Sequence, residues 1–263
     1  MARACRSSGA VIARWASSPF ALLPFVAAIA AAPSPARAMH LAEGTLPAGW
    51  SSAWWGVTVA ALAVALTRLR ARAARDAIAR PLTATVAALI FVLSSVPIPV
   101  PIAGSSGHAC GTGLAAAVIG PSLAFLASFV SLVLQALVEG HGGLSTLGAN
   151  AVSMGLFGVL AGWGTFRLLR RAGASLPAAA GAAGFLADAA TYAATSLQLA
   201  LAHRGDHSVA AAAAAIGGAF LPVQLPIALL EAALAAGAMR LLSSRRPQLL
   251  VRLGVLESLP EAK

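Results

Sequence analysis

This 263-residue sequence predicts an all-α, polytopic transmembrane helical bundle of about seven spans, N-terminus outside and C-terminus inside, after a cleaved signal peptide. Three observations carry that reading. The chain is 59% hydrophobic and only 10% charged, with a mean hydropathy of +0.84. An ordinary soluble domain is roughly a quarter charged. The arginines collect in three clusters between or after apolar runs, as the positive-inside rule expects of cytoplasmic anchors. The first 38 residues have the layout of a secretory signal.

In that signal, Arg3, Arg6 and Arg14 form a basic start, 20–32 is apolar, Pro33 and Pro35 break it, and Ala36-Arg37-Ala38 is an A-x-A cleavage site. The expected division is therefore 1–38 signal and 39–263 membrane domain, with no internal repeat and no second domain. The signal takes four of the eighteen basic residues and none of the eight acidic ones. A net charge of +10 would suit nucleic acid, but its confinement to inter-span clusters argues for a membrane and against nucleic acid. Cys5 lies in the signal, so Cys110 is alone in the mature chain and no intramolecular disulfide can form. A small packing residue is the expected role; a soft metal ligand is the alternative.

The spans follow in order. Trp50, Trp54 and Trp55 form an aromatic belt at the entry of a first span ending near Thr67. Arg68, Arg70, Arg72, Arg75 and Arg80 are then inside. Pro81 opens a second span that returns outside near Val96, followed by a stiff segment with Pro97, Pro99 and Pro101 and a Gly/Ser loop that ends at His108. Between His108 outside and the Arg167, Arg170 and Arg171 cluster inside, the crossings must be odd in number. Three fit the charges, with a break at Gly120-Pro121, His141 outside and a third crossing over 151–166. The segment before Gly120 is shorter than the ~20 residues of a normal crossing and is expected inside the bundle. Another span covers 176–202, His203 to His207 form an outer loop, and the last span reaches Leu242, near Arg240, Arg245, Arg246 and Arg252.

Cleavage after Ala38 exposes Met39 and His40 at a new N-terminus. The free amine, the His40 amide nitrogen and one imidazole nitrogen form two fused chelate rings, leaving a fourth in-plane position for one more imidazole. Four nitrogens in a plane suit Ni(II) or Cu(II), and Co(II) can be held by a similar set. His108 lies on the same face by topology; His141 is next, and His203 and His207 are expected to face solvent. Ordinary pKa values near ~8 for the amine and ~6.5 for imidazole predict that metal affinity falls below about pH 6.5.

These residues carry a resemblance. The stretch from Met39-His40-Leu41 to Pro47 resembles the mature start of the CbiM/NikM family, MHIxEGxLP. Gly104-Ser105-Ser106-Gly107-His108 through Gly111-Thr112-Gly113 is similar to its GS-x-x-H-x-x-G-T-G loop. His141 through Asn150 is similar to its HGGLTTLGAN block, and Gln224, Pro226 and Glu231 to its Pro-x-Ala-x-x-Glu segment. The chain departs from the pattern at Ser106 and Ala109, where many cobalt-type members have Cys and Pro, and at Ala232, where glycine is usual.

The resemblance implies the substrate-binding membrane component of an energy-coupling factor (ABC-type) transporter importing Co2+ or Ni2+, not an enzyme. It implies metal held by Met39, His40 and His108, with Ser105, His141 and Asn150 around them. It also implies a coupling transmembrane subunit, ATPase subunits and a small accessory membrane subunit as partners. The expected place is the lipid bilayer of the bacterial cytoplasmic (inner) membrane, with cobalt serving cobalamin biosynthesis.

Two rivals are weighed against this. An intramembrane metallohydrolase would want a histidine pair with a general base, such as H-E-x-x-H, and none is present. A secondary metal transporter driven by an ion gradient rests on Asp188, a carboxylate in mid-span, for which an interhelical hydrogen bond is the plain alternative. Glu139 beside His141 is read as a solvated loop residue or a guide for cations.

Overall fold

Helix α1 (Ala48–Arg75) buries small and polar side chains and exposes large apolar ones. Ser51, Thr58 and Ala65 are buried, one every two turns, while Val57, Val59, Val64 and Leu66 point outward. That distribution suits a helix with its apolar side in lipid and its small side against neighbours. The computed structural model describes residues 40–96, 98–100 and 105–258. The expected signal peptide 1–38, Met39, Pro97, Pro101 and Gly104 lie outside the described residues.

After α1 come α2 (Ala79–Ser94), the strands β1 (Ile98–Val100) and β2 (Ser105–Gly107), α3 (Thr112–Ile119) and α4 (Pro121–Leu134), which runs on through the π turn Gln135–Glu139. Helix α5 (Leu147–Asn150) continues through the π turn Ala151–Gly158 into α6 (Val159–Arg171). Then follow α7 (Leu176–His203), α8 (Val209–Arg245) and α9 (Pro247–Arg252).

Among the described residues, four helical rods are long and apolar enough to cross a membrane: Ala48–Arg75, Pro121–Glu139, Leu147–Arg171 and Val209–Arg245. Length and composition support four of the seven expected spans. The 16-residue α2 is apolar but short, and the eight-residue α3 spans about 12 Å. α3 is buried along nearly its whole length, as its brevity required. The rod α7 is long, but its polar groups lower its hydropathy: Asp188, Thr191, Thr195, Ser196 and Gln198 are buried on it.

Two boundaries differ from expectation. α1 does not stop near Thr67; it runs to Arg75, because nothing breaks it before Asp76, whose carboxylate accepts from the Ile78 N–H and pairs with Arg252. The Arg252 guanidinium holds that carboxyl below its ordinary range. His203 belongs to the end of α7, so the turn after it is shorter than the expected 203–207 loop. The architecture is helical throughout apart from one short ladder, in which β1 pairs antiparallel with β2, Ile98 opposite Gly107. Pro99 sits in that ladder, in a short edge pair where a missing N–H is tolerated.

Arginines of the first and second clusters lie close together, with Arg252 of the third beside them. Arg68, Arg72, Arg75 and Arg252 line one cavity there, and Arg72, Arg167, Arg170 and Arg171 line its neighbour.

Close approach of the central helices depends on glycine. A Cβ on Gly113 of α3 would collide with the Ala183 carbonyl and stand 2.7 Å from the Gly184 Cα, both on α7. Gly162 of α6 meets Gly113 at the same crossing. Gly113→Ala is therefore expected to destabilise the protein by about 1–3 kcal/mol. Gly56→Ala, where no atom lies within 4 Å of the new methyl, should have little effect. Thermal unfolding of the two variants in detergent checks this.

Candidate metal centre

The segment 40–47 has few backbone partners of its own and is fastened by side chains from the 141–150 loop. The Asn150 amide pairs with both backbone polar groups of one residue: Leu41 N–H donates to Oδ1 at 2.9 Å, and Nδ2 donates to the Leu41 carbonyl at 3.2 Å. The Thr146 hydroxyl donates to the same carbonyl. Glu43 accepts from the Ser145 N–H at 3.0 Å, which together with other Ser145 and Leu144 contacts holds its carboxyl below the ordinary range. Leu41 and Leu46 pack on Ala149, with Trp50 and Trp54 over them. The expected aromatic belt therefore partly covers the N-terminal segment.

The loop itself is held by the helices. Trp55 Nε1 donates to the Leu144 carbonyl, the Thr58 hydroxyl to that of Gly148 and Gln198 Nε2 to that of Ala149. Gly142 has φ +81°, and a Cβ there would stand 3.1 Å from His40 Cβ. The HGG sequence at 141–143 thus lets the loop lie directly on His40.

This docking brings three imidazoles together. His40, His108 and His141 are 7%, 0% and 8% exposed. One ring nitrogen from each lies within 4.8 Å of the others. His40 Nε2 is 3.2 Å from His108 Nε2 and 3.2 Å from Gln135 Oε1. Carbonyl oxygens only accept, so the surroundings assign the protons. Nδ1 of His108 donates to the Ala109 carbonyl at 3.1 Å, which leaves its Nε2 lone pair facing His40. Nε2 of His40 donates to Gln135, which leaves its Nδ1 lone pair unused by these bonds. Gln135 is itself steadied by donating to the Ser94 hydroxyl at 2.8 Å. A ligand imidazole fixed through its other nitrogen is the usual arrangement at metal sites.

Of the sequence-derived candidates, His40 and His108 are in place, and His141 stands beside them rather than apart. Asn150 acts on the Leu41 backbone, not on a ring. Ser105 lies in β2, and its side chain is outside the described structure, as is Met39. His203 is at the surface and holds the Thr45 carbonyl; His207 and Glu139 are exposed. Sequence reasoning missed Gln135 and Ser94. Neither belongs to a motif, and the only trace of Gln135 is a polar residue in an apolar run.

Behind His108 lies a second buried group. Cys110, Asp188 and Glu231 each have a ligand-type atom within 4.8 Å of the others. Gln224 Nε2 donates to both Asp188 oxygens at 2.8 Å, an α7–α8 bond of the plain interhelical kind. The Cys110 Sγ is 3.8 Å from Asp188, and Cys110 is fully buried in the main apolar core.

Burial, with repulsion from His108 and His141, holds His40 well below the ordinary imidazole pKa. Burial and His141 take His108 down to about 3. The expected loss of affinity below about pH 6.5 therefore shifts in origin. The two imidazoles are still neutral there, so their protonation does not account for it. Stability of the metal-free protein follows with a definite sign. The unfolded chain protonates both rings below about pH 6.5 and the folded chain does not, so stability falls as pH drops through that value. Unfolding midpoints of metal-free protein should decline from about pH 7 to about pH 5, and His108→Ala should flatten the slope. An unchanged slope would contradict the assignment.

Known proteins resemble this chain. A family model described as CbiM, cobalt uptake substrate-specific transmembrane region, matches residues 40–249. The cobalt transport protein CbiM of Sorangium cellulosum (strain So ce56) is 47% identical over 224 residues, 85% of this chain and 100% of that protein. A cobalt transport protein CbiM of Geobacter sulfurreducens is 46% identical over 224 residues, 85% of this chain but 65% of that longer protein. A crystal structure described as a truncated transition metal transporter superposes with a TM-score of 0.70 at 26% identity, covering 78% of this chain and 99% of that one. The chain belongs to the CbiM family of cobalt uptake substrate-specific transmembrane regions.

Proposed function

We propose that this protein is the metal-binding, substrate-specific component of an energy-coupling factor importer of Co2+, with Ni2+ as the alternative cargo. In this reading the signal 1–38 is removed, and the Met39 amine, the His40 amide and imidazole and the His108 imidazole hold the ion. His141 stands close enough to brace the site or to join it. The chain resides in the bacterial inner membrane as a multi-pass protein with N-terminus outside. Uptake is driven by separate coupling and ATPase subunits, with a small accessory membrane subunit.

One observation supports this best: His40 and His108, 68 residues apart in sequence, have their Nε2 atoms 3.2 Å apart in a buried pocket. Two neutral, partly pre-oriented imidazoles favour a borderline transition metal over Mg2+ or Ca2+, which prefer oxygen. The relatives named as cobalt transport proteins favour Co2+. The ion-gradient alternative through Asp188 draws less support, because Gln224 already occupies both Asp188 oxygens.

Calorimetric titration of purified mature protein with Co2+ and Ni2+ tests the ligands. His40→Ala and His108→Ala should each weaken binding by at least about 100-fold, since each would lose a direct ligand. His203→Ala and His207→Ala should bind as the wild type does. Equal affinity in His108→Ala would pass its place to His141. Intact mass tests the processing: a mature chain starting anywhere but Met39 would remove the chelating amine from the site.

A further inference from the structure

The loop that carries His108 is gripped on both sides by one helix, α8. Before the histidine, a Cβ on Gly107 would meet Ile227 Cδ1 at 2.5 Å, Gln224 Oε1 at 3.2 Å and Val223 Cγ1 at 3.3 Å, all from α8. After it, the Glu231 carboxylate of α8 takes two consecutive backbone amides. Cys110 N–H donates to Oε2 at 2.7 Å and Gly111 N–H to Oε1 at 2.9 Å. Those amides lead into α3, whose first N–H groups have no partner within the helix. Gly111 turns the chain there with φ +67°. Glu231 is 3% exposed, one helical turn beyond the Gly107 contact at Ile227.

We infer that Glu231 is a positioning residue for the metal site, setting the place of the His108 imidazole through its two-pronged hold on the Cys110 and Gly111 amides. The inference rests on His108 being a ligand, as proposed above. It adds that the ligand's position is set from α8, not by the loop itself. The β1–β2 ladder holds the loop before the histidine, up to Gly107, and the Nδ1 bond of His108 goes to the carbonyl of the next residue, Ala109, and orients the ring; beyond the histidine, the Glu231 carboxylate takes the backbone. Glutamate suits the task because both carboxylate oxygens accept. A glutamine would accept from one amide and face the other with its own N–H. Alanine would leave both amides buried without an acceptor.

A double-mutant cycle in metal affinity separates positioning from bulk structure. Co2+ binding is measured for wild type, Glu231→Ala, His108→Ala and the double variant, with Glu231→Gln as a milder probe should Glu231→Ala not fold. Glu231→Ala should weaken binding about 10- to 100-fold in the wild-type background and Glu231→Gln less. Either should cost nothing further once His108 is alanine. The Co2+ absorption spectrum of either Glu231 variant should move toward that of His108→Ala. If the Glu231 variants lose affinity equally in both backgrounds, or bind as wild type does while His108→Ala does not, the inference is overturned. If His108→Ala itself binds normally, the ligand assignment fails instead.

Discussion

The two hydrogen bonds between the Asn150 amide and the Leu41 peptide decide where the N-terminal segment lies. Residues 40–47 contain no helix and pair with no strand, so their placement depends on side chains reaching in from elsewhere. Each such bond contributes only about 0.5–1.5 kcal/mol net, but a buried amide left unpaired costs about 1–3 kcal/mol. Leu41 is 5% exposed. Once Leu41 is fixed, His40 is confined to one small volume, against Gly142 and beside Gln135. The pocket then needs only His108 to arrive from the other side.

His108 arrives on a different footing. Its loop sits between the β1–β2 pair and the buried α3, and α3 is wedged against Gly162 of α6 and Ala183 and Gly184 of α7. Small residues let these helices come close enough that polar groups deep in the bundle can reach across. Glu231 reaches the start of α3, and Gln224 reaches Asp188. The bundle thus has a lipid-side exterior of large apolar residues and an interior of small and polar ones, a division that serves a site better than it serves a stable apolar core.

Much of this was legible in the sequence, for different reasons in different places. The breaks at Gly120-Pro121 and at the arginine clusters have local physical causes, and α4, α6, α7 and α8 lie close to where those signals put them. The nearness of His40 to His108 was legible through the chelate chemistry that asks for a second imidazole and through a resemblance in motif. The continuation of α1 to Arg75 was not, because a run of arginines is as good a helix former as it is an anchor. The pairing of β1 with β2 was hidden by prolines that argue against any strand. Gln135 and Ser94 were hidden because their role exists only after α2 and α4 have packed. Glu231 was visible as a motif residue, but its amide partners lie 120 and 121 positions away.

The central claim is that a nitrogen pocket built from an N-terminal histidine and a distant loop histidine receives the cation. X-ray absorption at the cobalt edge of the Co2+-loaded mature protein addresses it directly. The account predicts a shell of nitrogen neighbours with the multiple-scattering pattern of imidazole, weakened when His108 is replaced by alanine. A shell dominated by oxygen, or an imidazole pattern untouched by that replacement, would contradict it.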